Sequence, residues 1–261
     1  MSSNASDRLH HDNPWRDHGH SSPDGVVADA DTFVAGQTIS QWTQDWWKWA
    51  LQAPAGAGPL DNAANQSVNQ GKMVFIAGVY DATVHAPAHE PILFPMVNAY
   101  DTEGPGIETI PNFVADGRGS YADEARYVSN LEQRAIYDAY AKLTKDDGAG
   151  HDRTIFDVHL HGAAAAESGV KTGIFALGEP ASGGYLENLL QSYGLLPLDM
   201  SIKDLPDTRA VGDYAEIKGL QPGTYTLEFG GTGHAVVDPV TNTTILAEGW
   251  GAAVKDTLIV T

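Results

Sequence analysis

The chain has 261 residues, with 15 Lys and Arg against 34 Asp and Glu, a formal charge of −19, and no cysteine. So negative a surface repels phosphate backbones and anionic bilayers, because nucleic-acid affinity comes largely from Lys and Arg displacing counterions; neither nucleic acid nor membrane insertion is expected. Without cysteine there is no disulfide framework, thiolate metal site, iron–sulfur cluster or cysteine nucleophile.

Residues 1–24 are polar and carry His10, His11, His18 and His20. That composition suits an arm rather than a packed layer, with Trp15 as its aromatic anchor. The first 25 residues lack the basic start and apolar run of a signal peptide, and apolar stretches such as Met73 to Tyr80 fall far short of the roughly 18 to 20 residues that span a bilayer. The chain finishes Asp256-Thr-Leu-Ile-Val-Thr261, an acidic residue followed by a short apolar run. This ending resembles the C-terminal signals of bacterial type I secretion substrates, although the nonapeptide calcium repeats common among them are missing. The resemblance implies an extracellular or cell-surface location; the alternative is cytoplasmic. Residues 25–261 are expected to form a single β-sandwich domain. Val26 to Val34 reads as an extended segment suited to adding a strand to a neighbour's sheet edge, giving a homo-oligomer with Trp15, Val27, Phe33 and Trp250 as assembly contacts.

Residues 38–52, TISQWTQDWWKWALQ, predict a helix. Thr38 and Gln41 fit a capping box, and Pro54, Gly56 and Gly58 stop it. Ile39, Trp42, Trp46, Trp49 and Ala53 recur at spacings of three and four, and Trp47 and Leu51 widen the stripe. So much indole favours burial against a large apolar surface, since each aromatic removes about 150 to 250 Å² from water.

The segment VAGQTISQWTQDWWKWALQAP, followed by Met73 to Gly78 and by Pro91-Ile-Leu-Phe-Pro95-Met-Val-Asn98, resembles a group of bacterial extracytoplasmic proteins of uncharacterised function. The resemblance covers roughly residues 25 to 100 and the C-terminal β-region, with the tryptophan helix as its specific part. It implies a shared scaffold and no catalytic residue.

Beyond Gly71 the pattern turns to β. Strands are expected at Met73 to Tyr80, Thr83 to Ala86 and Ile92 to Ala99, the last an edge or interrupted strand because of Pro91 and Pro95. Ser120 to Lys145 reads as one long helix, with Val128, Leu131, Ala135, Ala139 and Leu143 inward. Arg153 to His161 is another strand, Ile174 to Leu177 a short one, and Tyr185 to Tyr193 a short helix. From Tyr214 the chain is hairpin-like, with Pro222-Gly223 turning into a strand whose Tyr225, Leu227 and Phe229 point inward. Short strands at close intervals predict a mainly β fold with inserted helices, an antiparallel β-sandwich or jelly roll.

Chemistry concentrates in Asp157-Val-His159-Leu-His161. On a strand the three polar side chains share one face, and two histidines one residue apart can ligate zinc, copper or iron if a third ligand arrives. His234 is the natural third, with His85, His89 and Glu90 in a proline-containing loop as further candidates. The same pattern also fits a solvated strand face. Asp29 with Asp31, Asp146 with Asp147 and Asp152, and Asp238 with Asn242 offer oxygen ligands for calcium, without EF-hand spacing. There is no Gly-x-Ser-x-Gly elbow, phosphate loop or His-Glu-x-x-His. The composition and patterning therefore favour a non-catalytic secreted structural or adhesion protein of the cell surface or matrix. The alternatives are a metal-binding protein using His159, His161, His234 and Asp157, and a carbohydrate-binding module with a polysaccharide partner using Trp42, Trp47 or Trp250.

Overall fold

A computed structural model describes residues 26–149 and 151–261 of the chain. The arm expected over residues 1–24, including Trp15, lies outside the described residues. In chain order the elements are β1 (Val26–Val27), β2 (Phe33–Val34), β3 (Gln37–Thr38), α1 (Ile39–Gln52), β4 (Ser67–Asn69), β5 (Val74–Ile76), β6 (Thr83–Ala86) and β7 (Ile92–Glu103). Next come α2 (Tyr121–Ala135), β8 (Ile136–Lys145), β9 (Arg153–His161), α3 (Ala163–Ser168), β10 (Val170–Lys171) and α4 (Tyr185–Ser192). The C-terminal third adds β11 (Asp207–Ile217), β12 (Gly223–Gly233), β13 (Val236–Val237), β14 (Thr244–Leu246) and β15 (Trp250–Val260).

The result is a mainly β, sandwich-like fold. One sheet of six strands runs β1-β11-β7-β5-β4 with β10 also on β11, and a second of five runs β6-β15-β12-β8-β9. Pairing is antiparallel except for β5 with β7 and β6 with β15. Alternation explains the packing: Ile92, Phe94, Ala215 and Ile217 of the first sheet meet Leu143, Tyr225, Leu227 and Phe229 of the second in one core. The Phe94 and Phe229 rings lie 4.7 Å apart. Residues on the opposite face of the first sheet, among them Phe75, Leu93 and Tyr214, pack with α1 in a second core.

The tryptophan helix is thus a third layer, roofing the outer face of the six-stranded sheet. Its capping box forms as the sequence predicts: Thr38 Oγ1 accepts from Gln41 N at 3.3 Å, and Gln41 Oε1 accepts from Thr38 N at 2.9 Å. Trp42 donates its indole N–H to Val34 O and Trp46 to Ile76 O, so burying these rings leaves their polar atoms satisfied. The Trp46 ring stands edge-on to Trp47, Trp49 and Tyr214.

Four readings need correction. The helix over residues 120–145 ends at Ala135, where Ile136 leaves helical backbone, and residues 136–145 form β8, central in the second sheet. Of the two readings of β7, edge or interrupted, the edge fails and the interruption holds: the strand lies between β11 and β5, and its ladder to β11 breaks at a bulge next to Pro95. Proline is tolerated there because β5 pairs only Ile92 and Leu93, leaving Pro95 opposite Tyr214 alone, beside a bulge. Val26 and Val27 pair with Glu216 and Ala215 of their own chain, while Phe33 and Val34 pair with Thr38 and Gln37; the expected augmenting strand is spent at home. Of the expected assembly contacts, Val27 packs into the inter-sheet core and Trp250 lies against Gly233 with its N–H on His234 O, whereas Phe33 is exposed. The C-terminal run Asp256 to Val260 is part of β15, paired with β12 throughout. Among the described residues no helix is long and apolar enough to cross a membrane.

Candidate functional site

β9 presents Asp157, His159 and His161 on its exposed face, with Phe156, Val158 and Leu160 turned toward the core, as alternation requires. What binds the histidines is Asp138 of β8, which the sequence reading placed in a helix. Asp138 Oδ1 is 2.6 Å from His159 Nε2 and 3.4 Å from His161 Nδ1. His234 goes elsewhere: its Nδ1 meets Glu248 Oε1 at 2.9 Å and its ring stacks on Tyr137 at 4.2 Å. Asp157 turns to Lys142, 4.0 Å away. The four residues expected as one ligand set are therefore divided among three partners, and among the described residues no group of three or more His, Asp or Glu is arranged to hold a metal. His159 and His161 are 61% and 76% exposed, which makes the patch a solvated carboxylate–imidazole cluster rather than an enclosed site.

Four of the six aspartates read as calcium ligands are engaged in hydrogen bonds within the chain. Asp238 accepts two hydrogen bonds from Arg118, one from Tyr127 and two from Thr241. The Arg118 guanidinium holds the Asp238 carboxyl well below the usual carboxylate range. Asp29, Asp146 and Asp147 accept from backbone N–H groups two to four residues on, the ordinary use of Asp in turns. Glu90 accepts from Asn69.

The more substantial concavity lies beside α1. A groove of about 800 Å³ is bounded by Trp42, Asp45, Lys48, Trp49 and Gln52 of the helix, by Gln37 of β3, and by Gln70 and Lys72 of the turn between β4 and β5. Helical periodicity sorts the indoles. Ile39, Trp42, Trp46, Trp47, Ala50 and Leu51 are buried, while Trp49, expected within the buried stripe, sits partly exposed at the groove. Its ring is braced 6.0 Å from Phe75 and 6.0 Å from Trp46, and Gln37 Nε2 donates to Asp45 Oδ2 at 3.2 Å. An anchored aromatic surface ringed by amides, two ammonium groups and a carboxylate suits a ligand with one apolar face and many hydroxyls.

The chain matches no known family model, no curated protein and no solved structure. Its chemistry must be argued from its own residues.

Sequence reasoning missed a group of buried carboxyls. Asp101 and Glu103 of β7 and Glu124 and Glu132 of α2 are at most 5% exposed. The loop before α2 ties one oxygen of three of them: Thr109 Oγ1 donates to Asp101, Thr109 N to Glu103, and Ile110 N to Glu124. Asp101 Oδ2, Glu103 Oε1, Glu124 Oε2 and Glu132 Oε2 have no hydrogen-bond partner. Burial raises the proton affinity of all four, and their mutual repulsion raises it further for Glu103, Glu124 and Glu132. Carboxyls crowded in low dielectric cannot all ionise, so the group shares protons near neutral pH. Asp213 on β11, fully buried, is pushed up to about 7 by burial despite accepting from Ser168 Oγ.

Proposed function

We propose that this protein is a non-catalytic extracellular or cell-surface β-sandwich that binds polysaccharide in the groove beside α1, in an adhesion or matrix role. The observation that carries the reading is Trp49: a partly exposed indole, held rigid by Trp46 and Phe75, beside Lys48, Gln52, Gln70 and Lys72. A pyranose ring lays its C–H face on such a surface and turns its hydroxyls to the surrounding amides and ammonium groups. A braced ring loses little entropy on binding. The acidic, cysteine-free composition is consistent with a secreted molecule.

Indole emission and calorimetry with a panel of bacterial and plant oligosaccharides test this. Saturable binding that quenches Trp49 is expected, weakened about five-fold or more in Trp49→Ala, since a stacked ring is worth on the order of 1 kcal/mol or more. No binding anywhere in the panel, or equal binding by the variant, overturns it.

A further inference from the structure

β9 is a nine-residue strand at the edge of its sheet, hydrogen-bonded only to β8. The other edge strands of the two large sheets, β1, β4, β6 and β10, are two, three, four and two residues long, short enough to offer little template for pairing. Among the described residues, no backbone hydrogen bond outside the ladders involves residues 153–161. One long edge thus keeps a row of unpaired N–H and C=O groups.

The outer face of this sheet carries a row of alternating charge that stops at that edge. Lys255 of β15 lies opposite Glu228 of β12, Glu228 opposite Lys142 of β8, and Lys142 opposite Asp157 of β9. Ion pairs join Lys255 to Glu228 at 2.7 Å and Lys142 to Asp157 at 4.0 Å. The next strand outward should place a hydrogen-bond donor or a cation beside Asp157.

We infer that β9 pairs antiparallel with β9 of a second copy of this chain about a two-fold axis at Val158, joining two five-stranded sheets into one. With the axis there, Asp157 faces His159 of the second copy and His159 faces its Asp157, so each carboxylate meets an imidazole, which can donate a hydrogen bond to it, rather than a like group. On the opposite face Val158 meets Val158 and Phe156 meets Leu160. Neighbouring registers fail on the same criterion. An axis at Asp157 or at His159 sets like residues against each other, one at Leu160 sets His159 against His161, and one at Phe156 sets His159 against Arg153. Ile155, the extra residue where the β8–β9 register shifts, falls outside the paired stretch of residues 156–160. Sheet-edge pairing of this kind draws affinity from main-chain hydrogen bonds and register from side chains. Repulsion between two chains of charge −19 is screened over about 8 Å at physiological salt.

Sedimentation and light scattering of the full chain should give twice the single-chain mass of 27.8 kDa. Asp157→Lys should weaken the dimer about ten-fold or more, because it removes the carboxylate acceptor from two cross-strand pairs and sets an ammonium group against an imidazole in each. The register is read separately by a nitroxide on His161→Cys in this cysteine-free chain. Residue 161 and its symmetry mate are six steps apart, so their Cα atoms should stand about 20 Å apart along the strands. A single-chain mass for the wild type overturns the inference, as does an undiminished dimer in a folded Asp157→Lys variant. So does a backbone separation near 14 or 27 Å, which sets the axis one residue away. The groove reading stands or falls independently, since Trp49→Ala should leave the mass unchanged.

Discussion

Replacing Asp213 by Asn should stabilise the protein at alkaline pH and leave it nearly unchanged in acid. Asp213 is fully buried, its Oδ2 has no hydrogen-bond partner, and burial lifts its carboxyl from 3.8 to about 7. Between those two values the folded chain holds a proton that the unfolded chain has released, so stability falls as pH rises through that window and is flat outside it. Each tenfold of proton affinity is worth about 1.4 kcal/mol, and a rise from 3.8 to about 7 spans roughly three of them, or about 4 kcal/mol at pH 8. Relaxation of the surroundings lowers that to about 2 kcal/mol, equivalent to roughly 4 to 8 °C in Tm for a chain of this size. An amide keeps the acceptor that Ser168 Oγ uses and removes the charge. Circular-dichroism melts of wild type and Asp213→Asn from pH 3.5 to 8.5 provide the test. The difference should open between pH 4 and 7 and then level off; an equal loss of stability at both ends of the range would refute the argument.

Asp238→Asn should destabilise the protein by about 3 kcal/mol in denaturant titrations, because Asp238 is fully buried and the change leaves the Arg118 guanidinium, 17% exposed, without its carboxylate. Gly78→Ala should cost about 2 kcal/mol or more in the same assay. Gly78 has φ of +77°, and a Cβ there would lie 2.6 Å from Phe229 Cε2 in the packed inter-sheet core.

Where alternation was sharp, the sequence was readable. Phe156–His161 alternates apolar and polar without a break, and its strand and its exposed face emerged as expected. Residues 136–145 show why a neighbouring segment did not. Ala135, Ala139 and Leu143 are four apart, and a spacing of four returns to the same face of a helix and of a strand. The odd positions 139, 141 and 143, all buried, carry the period of two that decides for β, and the aromatic residues Tyr137 and Tyr140 support it. Misplacing this strand hid Asp138 and so the partner of both histidines. The buried carboxyls were unreadable for another reason. Glu124 and Glu132 look like the solvated face of a helix, yet both are buried while Leu131 is partly exposed. The helix turns these acids rather than its leucine inward, with Glu124 held by the loop N–H of Ile110, a contact that no periodicity predicts.

The position of the tryptophan roof decides what optical probes of this molecule report. Trp42, Trp46, Trp47 and Trp49 all lie on one side of the six-stranded sheet, in a cluster distinct from the one between the sheets. Their ring centroids fall within 4.6 to 6.3 Å of aromatic neighbours, close enough for excitation to pass from ring to ring before emission. Four of the six tryptophans therefore report on this compartment, while Trp250, packed against the inter-sheet cluster, reports on the Phe94–Phe229 side. If the roof loosens before the sandwich opens, emission will shift while the far-ultraviolet strand signal holds, and the gap between the two curves measures how strongly the three layers unfold as one.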